Sequence, residues 1–156
     1  MADTTHITKA GITSERSQES ERFEAKRLLW AGPLTALVAA VGTVLVREIG
    51  VLAGAIRADI QVLQEPAVAF STIGFVLLGT LVFAAIIRFA RRPARTFRVV
   101  AVAALVLSMF NPIAAGAGWV PLGVSLGFPE VVSMMLMHVV AGVSTIYLLP
   151  TLARER

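Results

Sequence analysis

Four stretches free of Asp, Glu, Lys and Arg divide the chain: Leu28 to Val46, Ala67 to Ile87, Val99 to about Ala117, and Val131 to Leu149. A helix needs about 20 residues, rising 1.5 Å each, to cross roughly 30 Å of hydrocarbon. Each stretch meets that length. Apolar residues cover all sides of them, without the alternation that a membrane β-barrel wall requires over about ten residues. Backbone polar groups have no water partner inside a bilayer, so segments of this kind close their hydrogen bonds as helices. The pattern predicts an all-α membrane protein, a bundle of four transmembrane helices over residues 28–150.

Outside the spans the chain turns polar. Residues 1–27 carry five bases and five acids and form no core. They are expected to be a disordered cytosolic tail that becomes helical toward its end, with residues 151–156 as a second short tail. A secretory signal would place a shorter apolar stretch nearer the start. The first connection, Arg47 to Pro66, partly alternates at Asp59-Ile60-Gln61-Val62-Leu63-Gln64, and the third contains Trp119-Val120-Pro121-Leu122-Gly123-Val124-Ser125-Leu126. A small extracellular β cap pairing the two is one expectation. An interfacial helix over Val51 to Leu63 is the other, because Leu52, Ile56, Ile60 and Leu63 share one side at helical spacing. No internal repeat is visible, so the inverted-repeat signal of secondary transporters is missing.

Composition and charge narrow the picture. Apolar residues make up 56% of the chain and charged ones 15%, where a soluble domain carries about 25% charged residues. Cysteine is absent, which excludes disulfides, thiolate metal sites and cysteine nucleophiles. The bases follow the connections. Twelve of the fourteen lie in the two tails and the second connection, whereas Arg47 and Arg57 alone lie on the other side. Positive charge stays in the cytosol, so both termini are expected there and the first and third connections outside. This segregation, not nucleic acid, accounts for the basic balance. Trp30, Trp119 and Tyr147 fall at span ends and fit interfacial anchors. Arg88, Arg91, Arg92, Arg95 and Arg98 crowd the second connection with no acid among them. Topology alone explains them; anionic lipid headgroups, then phosphate ligands, are the functional alternatives.

Within the spans one ionisable residue stands out, and such residues are the default functional candidates in a membrane. It is His138, which shares an arc of the fourth span with Met134, Ala141 and Thr145. The plainer reading is a neutral imidazole making one interhelical hydrogen bond. Ala101, Ala104, Ser108, Asn111, Pro112 and Ala115 form a face of small and polar residues on the third span. Pro112 has no N–H for the Ser108 carbonyl and is expected to kink that helix. Asn111 and His138 sit at similar depths, about 9 to 11 Å below the outer boundary. An intramembrane polar cluster of Ser108, Asn111, Pro112 and His138 is therefore expected, with His138 donating to the Ser108 carbonyl or the Asn111 side chain.

Absences are informative too. Thioether sulfurs with an imidazole suit Cu(I), and Met134 lies one turn from His138, yet no second His or Cys is at hand. No metal and no cofactor is assigned. The spans lack the embedded carboxylate on which small four-helix multidrug exporters rely, and His6 is the only other histidine, so a bis-His haem has no second ligand in the bundle. No catalytic constellation is present, and the expectation is a protein that is not an enzyme. Its partners are expected to be the bilayer, including anionic lipids, and a second copy or another membrane protein.

The run Arg92-Pro93-Ala94-Arg95-Thr96-Phe97-Arg98 entering the third span, Ser108-Met109-Phe110-Asn111-Pro112 within it, and Met137-His138 in the fourth carry a resemblance. Over about residues 28–150 the chain is similar to small bacterial four-span membrane proteins catalogued as domain of unknown function 6069. The resemblance implies the four-helix architecture and the bacterial cytoplasmic membrane, and brings no activity. Three functions follow in order: a non-enzymatic protein acting through lipid or protein contacts; a small permease or proton-coupled carrier using Ser108, Asn111 and His138; and a membrane subunit of a redox system binding quinone or haem.

Overall fold

The structure, a computed structural model, describes residues 25–120 and 125–154. The tail expected over residues 1–24, the centre of the third connection (121–124) and residues 155–156 lie outside the described residues. The helices are α1 (Ala25–Leu52), α2 (Glu65–Phe89), α3 (Pro93–Ser108), α4 (Phe110–Gly116) and α5 (Phe128–Ala153). Together α3 and α4 make one span, so four helical segments are long and apolar enough to cross a membrane. The span breaks at Met109. Pro112 is the cause: it cannot bond the Ser108 carbonyl four residues back, and its ring crowds that oxygen.

Helix α1 stops where Gly54 adopts a φ of +69°, a left-handed conformation that glycine takes without steric cost. The N–H groups of Ala53, Gly54 and Ala55 return to the carbonyls of Ile49, Val51 and Gly50. The chain then bends back through a 3-10 turn at Gln61–Leu63. No strand is present among the described residues. The first-connection half of the expected β cap is thus a turn, and part of the other half lies outside the described residues. The alternative interfacial helix is not continuous either, and Leu52, one of its four expected apolar residues, is 87% exposed. Ile56, Ile60 and Leu63 are nevertheless buried together, against Val68, Ala115, Leu126 and Met137. A folded-back turn satisfies the apolar spacing here without a helix.

Helix α1 packs most extensively on α2 and α5, and its small residues are the reason. A Cβ on Gly32 would stand 2.7 Å from Thr80 Cγ2 of α2, and one on Gly42 2.9 Å from Val140 Cγ1 of α5. Lipid tails are as apolar as leucine, so close backbone approach and dispersion, rather than expulsion of water, hold such helices together. Ala36 and Ala39 with Val76 form the middle layer. At the end carrying the second connection, Leu28, Ala31, Phe83, Phe97, Leu149 and Ala153 form another layer. There Arg27 Nη1 donates to the Arg154 carbonyl at 2.9 Å, tying the start of α1 to the end of α5.

Candidate functional site: an open cleft between α2 and α3

Helix α2 touches α3 far less than it touches α1. Between α2 and α3 lies a mostly apolar cleft of about 500 Å³, backed by α5 and by Thr43 of α1. Its α2 wall runs from Val68 to Val82, a length of about 21 Å at helical rise. Phe75, Leu78 and Val100, all exposed, stand at its mouth. Toward the second connection the rings of Phe83 and Phe97 meet with centroids 4.6 Å apart.

The third span meets α5 closely at two points. A Cβ on Gly142 would stand 2.7 Å from Leu105 Cδ1, and one on Gly116 2.5 Å from Val131 Cγ2. Ser108 and Asn111 lie between Leu105 and Gly116 in the chain, and His138 between Val131 and Gly142. The third span therefore touches α5 on either side of these polar residues. Ser108, Asn111 and His138 all line the cleft, together with Ala101, Ala104, Ala115, Met134, Ala141 and Thr145 of the two expected faces. Pro112 is buried beside them.

The hydrogen bond expected between these two spans is not made. His138 Nδ1 lies 2.7 Å from the carbonyl oxygen of Met134, one turn back in α5. A carbonyl only accepts, so the ring proton is on Nδ1. Ser108 Oγ likewise donates to Leu105 O in its own helix, at 2.7 Å. Each side chain reaches a carbonyl in its own helix without the spans having to close. Asn111 has no side-chain hydrogen bond among the described residues.

Polar residues that the spacing of the third and fourth spans did not mark also reach the cleft. Thr43 of α1 and Thr72 of α2 are buried with their hydroxyl oxygens 3.1 Å apart, and Ser71 is nearby on the same wall. Isolated threonines in two apolar runs carry no periodic signal, so the sequence had no means of pairing them.

Charges separate by end. Arg47 is buried at the far end of α1, with Nε donating to Leu63 O at 3.0 Å and Nη1 paired to Glu48 and, at 3.2 Å, to Glu65. Arg57 Nε lies 3.1 Å from Glu130 Oε1 and its Nη2 donates to Ser125 O at 2.7 Å. By contrast Arg88, Arg91, Arg92, Arg95 and Arg98 are exposed, and none is in an ion pair among the described residues. Trp30 on α1, Tyr147 on α5 and Trp119 just beyond α4 are also exposed.

No group of three or more metal-ligating side chains occurs among the described residues. No curated protein and no solved structure matches the chain. A family model matches residues 23–155, all four spans and the whole cleft, and by it the chain belongs to the family of unknown function DUF6069.

Proposed function

We propose that this is a non-enzymatic, multi-pass protein of the bacterial cytoplasmic membrane that acts by holding lipid, with both termini in the cytosol. The cleft is the observation that carries the reading. Ligand pockets run from about 300 to 1,000 Å³, so its 500 Å³ suits one chain rather than a whole two-chain lipid. It is apolar and laterally open at hydrocarbon depth, where lipid chains are the molecules at hand. The connection between the same two helices supplies five exposed arginines, each worth roughly 1 kcal/mol near an anionic surface. Orientation rests on the twelve-to-two division of bases. The two exceptions, Arg47 and Arg57, are both paired with carboxylates.

Purification in discs of native membrane followed by lipid analysis tests this reading. Anionic lipid should be enriched over the bulk membrane, and Arg91→Gln, Arg92→Gln and Arg95→Gln together should abolish the enrichment in correctly inserted protein. Lipid recovered in bulk proportions from the wild type would contradict it. A small permease or proton-coupled carrier is the second reading, favoured by Ser108, Asn111 and His138 on the cleft wall. It requires substrate-dependent proton flux in liposomes that His138→Ala removes.

A further inference from the structure

We infer that the occupant of the cleft is an apolar chain bearing a neutral O–H donor, the chemistry of a long-chain alcohol. The inference rests on the lipid-holding reading above and follows from where the cleft's own protons go.

Seven polar side chains line the cleft, and six of them direct their proton at an oxygen of the protein. Ser71 donates to Val68 O at 3.1 Å, Ser108 to Leu105 O at 2.7 Å, and Thr145 to Ala141 O at 2.8 Å. Thr43 donates to Ala40 O at 3.0 Å, which makes Thr72 the donor in the 3.1 Å contact between the two threonines. His138 donates from Nδ1 to Met134 O, so in the neutral ring Nε2 is a bare acceptor. Nε2 has no partner among the described residues. The carboxamide of Asn111 is the one remaining donor.

The cleft therefore presents lone pairs to whatever enters it. An ester, ether or ketone finds one donor, at Asn111. It gains little elsewhere, because a hydroxyl turned toward it breaks the bond to its own helix. An O–H group meets acceptors at Ser108 and His138, which lie on facing spans between the Leu105–Gly142 and Val131–Gly116 contacts. Acceptors also attract cations, but no carboxylate lines the cleft. An ion there would lose its hydration without a compensating charge.

The test compares hexadecan-1-ol with hexadecyl methyl ether, binding each to the purified full chain in detergent and reading occupancy by native mass spectrometry. The alcohol is expected to bind roughly three- to tenfold more tightly, the range of one net hydrogen bond. Ser108→Ala and His138→Leu, singly and together, should reduce the ratio of alcohol to ether affinity toward unity. Ether binding by each variant reports that its cleft is intact. Equal binding of both probes by the wild type overturns the O–H inference and leaves the lipid-holding reading standing. Binding of neither probe overturns both. A preference that persists in the double variant also overturns the inference, because the donor is then read elsewhere.

Discussion

His138 and Met134 are joined within one helix, imidazole Nδ1 to carbonyl oxygen at 2.7 Å, while the facing Ser108 and Asn111 receive no bond from that ring. The third and fourth spans are thus not locked together by His138. A double-mutant cycle between His138→Leu and Pro112→Ala should be additive within about 0.3 to 0.5 kcal/mol, the ordinary limit for residues without a shared interaction. Unfolding in detergent measures it. A coupling clearly above that limit would mean a bond across the cleft.

The pair Arg57 and Glu130 is asymmetric, with side-chain exposures of 51% and 9%. Removing Arg57 leaves a buried carboxylate without its partner, whereas removing Glu130 leaves a guanidinium that water reaches. Arg57→Ala should therefore destabilise more than Glu130→Ala, by about 1 to 3 kcal/mol against less than about 1 kcal/mol. Thermal unfolding of the two variants in the same detergent gives the order. Equal losses would show that the ion pair has no such asymmetry.

Thr35 carries a fully buried hydroxyl with no hydrogen-bond partner among the described residues. Valine has nearly the same shape without the polar atom. Thr35→Val should be neutral or stabilising, by up to about 1 kcal/mol, because an unpaired buried hydroxyl carries a desolvation cost and no compensating bond. A loss of stability in the same unfolding assay would show that the hydroxyl is satisfied.

Single cysteines test the orientation. Those replacing Gln61 and Ser125 should react with an impermeant thiol reagent added to intact cells, and one replacing Ala94 should not, because positive charge is retained in the cytosol. Labelling at Ala94 would invert the topology.

Much of the architecture was legible because a bilayer leaves the chain few choices. Uninterrupted apolar length specified the four spans, and Pro112 located the break within the third to within three residues. Small and polar residues at helical spacing marked the faces of α3 and α5 that line the cleft. The cleft itself was not legible. Periodicity tells which residues share a face, but not whether two such faces close on each other. The first connection was misread for a related reason: Ile56, Ile60 and Leu63 are spaced for a helix, yet a turn buries the same three. His138 was expected to bond across the bundle because depth was matched and distance could not be.

Filling the cleft decides whether it holds a chain. Ala104 lines it, whereas Leu107, 70% exposed on the same helix, does not. Native mass spectrometry of protein released from membranes should find one bound lipid or single-chain molecule on the wild type and on Leu107→Trp, and none on Ala104→Trp, with all three equally stable. The same bound mass on Ala104→Trp as on the wild type would contradict the assignment of the cleft as the lipid site.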